Sequence, residues 1–443
     1  MRVLVIANNV FSKTENNGKT LCSFFSNFAS DDLAQLYFGV CEVPYEEFCD
    51  NYYRVTELDI LKSIYNRIPT TGNTHQELLL SIKNNTLTRG PWYYRKIYSK
   101  KLRLLREYIW SRKTWDCPEL ANWIEKFKPD AIFAMLGPNI YVHKISISLS
   151  ERYNVPLFVF FTDDYFLNST SKSLVGRIHY HLVCKQYKET VAKAHTAYAI
   201  GQKMQRDYSS CFSKPFGILG NGIDVEKYLH LAPKKIEKGD TLIVSYIGAL
   251  HSNRWKTIVA LGEILKEINQ NHDYNKVHIK VFSPTVARKR MLAAFEKAEV
   301  EFCGSLDSAG VIEQMEKSHF LLHVESFDKA NRTYVRYSVS TKISEYLSSS
   351  RMILAYGPHE VASMQLLMEN GFGCCLTDLD TKEDMVRKIC AAIENYNSYD
   401  YALSKQFVKE NYAKEIIINR LESDLSSAIN ENRSNKTNIQ QLK

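Results

Sequence analysis

The sequence predicts an α/β chain made of two Rossmann-like halves, and three observations predict it. Apolar runs of strand length alternate with segments of helical period, the pattern of βαβ units and parallel sheets. The alternation is made twice, from Arg2 to Ile200 and again from Leu242 to Tyr356. Between the two, Val225 to Asp240 is rich in Pro, Lys and Glu and forms a natural joint, and 443 residues are too many for a single core. The expected division is 1–228 and 229–400, with a helix at about 401–428 packing back on the first half. A polar tail at 429–443 is expected to be disordered.

Arg2 to Ala7 reads as a buried strand, followed by a polar loop, Asn8 to Asn17, and a helix from Gly18 through Phe28. Gly18-Lys-Thr is not a Walker loop: the pattern needs a glycine five residues earlier, and Lys13 stands there. Gly18 then serves either backbone approach to a ligand or plain turn chemistry. Leu33 to Val40 reads as a second strand and Thr56 to Arg67 as a helix. Pro118 to Phe127 is helical, Ala131 to Leu136 a strand, and Ile145 to Arg152 a helix.

Val155 to Phe161 is an apolar strand ending in Thr162-Asp163-Asp164. Open α/β sheets hold ligands past the carboxyl ends of their strands, so these two carboxylates are candidates for orienting or deprotonating an acceptor hydroxyl. The competing reading is a helix cap. His179 to Ala194 is a helix and Ala197 to Ile200 a strand, and the half closes on Gly220-Asn-Gly-Ile-Asp224.

In the second half, strands are expected at Leu242–Ile247, Val277–Phe282, Val300–Phe302 and Phe320–Val324. Helices are expected at Thr257–Asn269, Ala287–Ala298 and Ser308–Lys317. Thr341 to Ser349 reads as a short helix and Met352 to Tyr356 as the strand after it, closed by Gly357-Pro358. Thr341 and Glu345 are four apart and share a helical face. A helix start offers free N–H groups and partial positive charge to a phosphate, and a carboxylate one turn on can accept from a ribose diol. The alternative is a capped helix with Glu345 solvated.

Composition narrows the class. Hydrophobic content of 45% and charged content of 24% are those of a globular protein. No apolar run approaches the roughly 20 residues that span a bilayer, and the first residues carry no secretory pattern. Ten cysteines without metal-site spacing fit a reducing cytoplasm and argue against zinc or disulfides. Nine Lys or Arg stand against Glu107 alone between Arg89 and Lys113, a surplus equal to the +8 of the whole chain.

Taken together, Asn221-Gly-Ile-Asp224, Tyr246-Ile-Gly248 with the basic cluster after it, and Lys342-Ile-Ser-Glu-Tyr-Leu347 resemble the GT-B glycosyltransferases. They are most similar to retaining glycosyltransferase family 4 and its bacterial surface-polysaccharide members. The resemblance covers about 195 to 400 well and the first half in topology. It implies two Rossmann-like domains facing a central cleft, with a UDP- or GDP-linked sugar on the C-terminal domain and the acceptor on the N-terminal one. It implies that Arg254 or Lys256, in the loop after Gly248, neutralises the donor diphosphate, and that Thr341 and Lys342 meet the phosphates. Glu345 corresponds to the second glutamate of the family's paired motif and holds the ribose. Gly18 sits nearest the donor in the first half, and Asp163 and Asp164 lie on the acceptor side. The first glutamate belongs eight residues before Glu345, where this chain has Tyr337.

The implied reaction moves a sugar to a glycan or polyprenyl-linked saccharide. The helix start and Arg254/Lys256 stabilise charge on the leaving diphosphate. No D-x-D acid cluster is read as presented for a cation, so neither metal nor cofactor is expected. The mixture of cations with Trp and Tyr in 89–113, and a stripe of Leu102, Leu105 and Ile109, suit an interfacial helix on anionic lipid at the inner face of the cell membrane. A core-packed helix with a solvated basic face has the same pattern, and nucleic acid is not expected. The alternative function is a catalytically silent scaffold of the same fold, to which Tyr337 points.

Overall fold

A computed structural model describes residues 1–13, 16–39, 44–67, 72–74, 102–167, 173–270 and 275–441. The chain divides into two units, one of 1–222 and 417–443, the other of 223–416.

The first unit is built on β1 (Val3–Ala7), β2 (Leu33–Tyr37), β3 (Asn51–Arg54), β4 (Asn73–Thr74), β5 (Ala131–Leu136), β6 (Leu157–Phe161), β7 (Thr196–Ala199) and β8 (Phe216–Ile218). Their order is β4-β3-β2-β1-β5-β6-β7-β8. All neighbours are parallel except β3 and β4. Every residue of β1, β5 and β6 is buried, as continuous apolar strands covered on both faces should be. The helices are α1 (Asn16–Phe24), α2 (Glu57–Asn66), α3 (Arg103–Ser111), α4 (Pro118–Phe127), α5 (Ile140–Tyr153), α6 (Leu174–Lys193) and α7 (Gln202–Phe212).

The second unit orders β9 (Leu242–Ile247), β10 (Val277–Phe282), β11 (Val300–Gly304), β12 (Phe320–Val324), β13 (Met352–Tyr356) and β14 (Cys374–Leu376) as β11-β10-β9-β12-β13-β14. Each pair is parallel. Its helices are α8 (Arg254–Gln270), α9 (Lys289–Lys297), α10 (Ser308–Lys317), α11 (Lys329–Val335), α12 (Thr341–Ser348), α13 (Ala362–Glu369), α14 (Lys382–Glu394) and α15 (Tyr401–Asn411). The chain then enters α16 (Lys414–Gln441).

Several element starts differ from expectation, each for a stated cause. α1 stops at Phe24 rather than Phe28; the Ser26 hydroxyl donates to the Ser23 carbonyl, diverting it from the helical ladder. α5 starts five residues early because the Glu107 carboxylate, from another helix, accepts from the Ile140 and Tyr141 amides at 3.1 and 3.2 Å. α6 also starts five residues early, where the Ser173 hydroxyl accepts from the Gly176 amide. Residues 223–231 join the second unit, with Tyr228 and Leu231 buried in its core beside Ile343 and Leu347.

The expected disorder from Asn430 is not found: α16 runs to Gln441. Ile417, Ile418, Leu421, Leu425, Ala428 and Ile429 bury one helical face, and Arg433 continues the docking with an ion pair to Asp130. None of the described cysteines forms a disulfide. Burial pushes the adjacent thiols of Cys374 and Cys375 up to about 12, which holds both protonated. No described helix is long and apolar enough to cross a membrane.

Candidate functional site

β9 and β12 pair only at Phe320 with Val244 and Leu321 with Ser245. Beyond that register the strands part, at the point where the strand order reverses direction in the second sheet. Open α/β sheets bind ligands at this switch point, outside the carboxyl ends of the strands. A pocket of about 210 Å³ occupies it. Tyr246 to Ala249 line it from the end of β9, Leu322 to Val324 from β12, and Ser340 to Lys342 from the start of α12. Arg254 closes another side.

The residues around the pocket are held by one another. The Ser340 hydroxyl accepts from the Lys342 amide and caps α12, leaving the helix start towards the pocket. The Tyr246 hydroxyl donates to the Ala249 carbonyl at 2.7 Å, folding the Gly248 loop back on its strand. Arg254 donates from Nε to Glu325 Oε2 at 3.2 Å and from Nη2 to both carboxylate oxygens at 2.9 and 3.0 Å. Glu325 is 3% exposed, and burial raises its carboxyl pKa against the opposing pull of Arg254. Behind it, burial lowers the His323 imidazole to about 3, so it is neutral, and its Nε2 lies 3.0 Å from the Ser363 hydroxyl. Lys342 Nζ is 2.7 Å from Glu345 Oε2, one turn along α12. Both cations therefore carry a carboxylate partner, and the helix start supplies the uncompensated positive end.

Of the expected donor residues, Arg254, Thr341 and Lys342 meet at this pocket, and Glu345 adjoins it through Lys342. Arg254 and Lys256 are not in a loop: they occupy the first turn of α8, which begins directly after two residues of positive φ, Ser252 and Asn253. Lys256 does not line the pocket; half exposed, it lies 3.7 Å from Asp328. Tyr337 is buried, with the Arg336 guanidinium 5.5 Å from its ring centre, so that position offers packing in place of a carboxylate.

In the first unit, Gly18 lies inside α1, where an added Cβ would stand 2.1 Å from the Val10 carbonyl oxygen. Close chain packing accounts for this glycine, so the ligand reading loses its motive. Asp164 Oδ1 accepts from the Phe166 and Leu167 amides at 3.0 and 2.8 Å and from the Tyr208 hydroxyl at 2.8 Å. An oxygen so committed to anchoring a turn is not free to take a proton, and among the described residues Asp164 caps no helix either, since α6 starts at Leu174 with Ser173 as its cap. Asp163, partly exposed, accepts from the Thr162 hydroxyl at 3.2 Å.

Sequence reasoning missed Tyr246, His323 and Glu325 as parts of one cluster. The signal was a histidine inside an apolar strand and an acid directly after it, at a carboxyl end. It also passed over Asp378-Leu-Asp380. His359, Glu360 and Asp378 bring potential ligand atoms within 4.8 Å of one another. Arg332 bridges Glu360 and Asp378, and Asp378 also accepts from the His359 amide, so the acids already have cationic and N–H partners. Residues 89–101 of the basic segment lie outside the described residues; in the remainder α3 buries Arg106 and Trp110 and exposes Leu105.

These two parallel α/β units have the GT-B fold. A trehalose-phosphate synthase from Burkholderia vietnamiensis superposes with a TM-score of 0.56 at 11% identity, covering 96% of this chain and all of that one. TarM gives 0.55 at 12% identity over 96% and 99% of the two chains. The E. coli trehalose-6-phosphate protein bound with UDP-2-fluoro glucose gives 0.53 at 11% identity over 98% of each. Neither the known family models nor the curated protein sequences match this chain.

Proposed function

We propose that this chain is a glycosyltransferase that takes a sugar from a UDP- or GDP-linked donor held at the switch-point pocket of the second unit. The observation that carries the reading is the meeting of a helix start, a glycine loop and Arg254 at one pocket, with the Lys342–Glu345 pair a turn away. The diphosphate sits at the start of α12 and against Arg254, and Glu345 receives the ribose hydroxyls. Charge on the departing nucleoside diphosphate is stabilised by N–H groups and cations already in place, so no metal or cofactor is invoked. The donor class is supported by one structural neighbour that is a UDP-forming synthase and another bound with UDP-2-fluoro glucose.

The acceptor is a glycan or a polyprenyl-linked saccharide of a bacterial surface polysaccharide, and transfer retains anomeric configuration. Asp163 is the acceptor-side carboxylate that remains partly exposed. The reaction takes place in the cytoplasm, with the basic segment 89–113 resting on the anionic inner face of the membrane. The rival reading, a silent scaffold, draws on Tyr337 and on a Glu325 wholly engaged by Arg254.

A nucleotide panel read by thermal shift tests the proposal, since a ligand that binds the native state raises its melting temperature. UDP or GDP should raise it and AMP should not; release of nucleoside diphosphate from one sugar nucleotide then separates enzyme from scaffold. A protein that binds no nucleoside diphosphate is not this enzyme.

A further inference from the structure

A second cavity, of about 660 Å³, lies in the first unit between α3, α5 and α6. Its size is that of sites for small organic ligands. It follows α5 from Ile140 to Glu151, about 16 Å at the helical rise, and so suits an elongated occupant. The floor is apolar, with Trp110, Trp115, Ile140 and Ile147 buried, and Trp110 stacked on Tyr141 at 4.0 Å and 7°. At the edge, Tyr108 and Leu182 are 60% and 43% exposed.

The charges at this groove are unevenly satisfied. Three acids line it, and all are engaged. Glu107 accepts from the Ile140 and Tyr141 backbone amides, Glu151 pairs with Lys193 at 2.6 Å, and Glu189 accepts from the Gln186 side-chain Nε2 at 3.2 Å. Three lysines line it too: Lys113, Lys144 and Lys185 are exposed, and their ammonium groups have no ion pair or hydrogen bond among the described residues. An apolar channel walled by three unpaired ammonium groups has the chemistry of a single ligand class. A neutral lipid leaves the lysines unused, a nucleotide or free sugar leaves its polar edges against Trp and Ile, and a bare anion leaves the channel empty.

We propose that this groove binds one anionic amphiphile, with its hydrocarbon chain along the α5 floor and its phosphate at Lys113, Lys144 and Lys185. Lysine meets phosphate as a compact point charge and needs no forked geometry. Every group named lies in the first unit, so the proposal does not depend on what the second unit's pocket holds.

The test is calorimetric titration of the full chain with monomeric dodecyl phosphate, below the concentration at which it forms micelles. Saturable one-to-one binding is expected, weaker by about tenfold or more in K113A/K144A/K185A and in Ser148→Phe, which narrows the groove without altering its charge. The three lysines are exposed, so their loss should leave the melting temperature unchanged, which is checked alongside. Comparable affinity for dodecyl maltoside or for inorganic phosphate overturns the proposal, since then charge or chain plays no part. So does undiminished binding by the triple variant. Binding to phosphatidylglycerol vesicles without binding to the monomer overturns it as well, in favour of contact with a membrane surface.

Discussion

Arg254 reaches its pocket with Nε and Nη2 already bonded to Glu325, and that pairing decides how each residue responds to change. Lysine has no fork to match a carboxylate and a phosphate at once. Arg254→Ala is therefore expected to weaken nucleoside diphosphate binding by about tenfold or more while leaving the unphosphorylated nucleoside little affected, measured by titration of both. Glu325→Gln leaves a nearly buried guanidinium without its counter-charge. It should cost about 3 kcal/mol of stability by denaturant unfolding, more than a surface acid costs. His323 adds a pH dependence. Burial lowers its folded pKa to about 3 from an ordinary 6.5. The unfolded chain therefore takes up a proton that the folded one refuses as pH falls through that window. The contribution is complete above 6.5 and lost progressively towards 3, so melting temperature should fall with acidification, and His323→Gln should flatten part of that fall. Gly18→Ala, forced against the Val10 carbonyl, should cost about 2 kcal/mol without touching nucleotide binding.

At the scale of elements, the second unit was the more legible half, for a physical reason. The expected bounds of β9, β10, β12, β13 and α10 coincide with the observed ones, because each strand is a short, mainly apolar run and α10 carries its own start signal. α10 takes its start from Asp307, whose carboxylate accepts from the Gly310 amide. α12 is capped by its neighbour Ser340. Such local chemistry is visible in a sequence. The start of α5 was not visible, because its capping group, Glu107, comes from 33 residues away. Glu107→Ala should then destabilise the first turn of α5 by about 1 kcal/mol, seen as faster hydrogen exchange at Ile140 and Tyr141 with little change elsewhere. The cluster of Arg254, His323 and Glu325 was hidden in the same way. Its members come from α8 and from β12 with the residue that follows it, and only the register of the sheet brings them together.

At the scale of the whole molecule, two mainly parallel sheets were readable from repetition alone, and a helix returning to the first half was expected, but the limits of that return and of the joint were not legible. The helix expected at about 401–428 is two elements, α15 in the second unit and α16, whose end at 429–441 looked like a polar tail; from Ile417 on, α16 belongs to the first unit through its buried apolar residues. They lie on one face, and Arg420 and Asp424 on the same helix bond to the Ile218 carbonyl and the Tyr198 hydroxyl. Each buried Leu or Ile on that face is worth about 1.5–3 kcal/mol. A chain ending at Ile416 is thus expected to lose cooperative unfolding of the first unit and to expose apolar surface, read as dye binding.

Because the first unit takes its last helix from the carboxyl end of the chain, its birth order on the ribosome is inverted. The strands of 1–222 emerge early, yet their covering helix is made only after the whole of 223–416 has been synthesised. At typical rates of roughly 5–20 residues per second, the nascent sheet waits about ten to forty seconds with that side bare. The second unit, contiguous in sequence, can close during that interval, so the half begun first should be the half finished last.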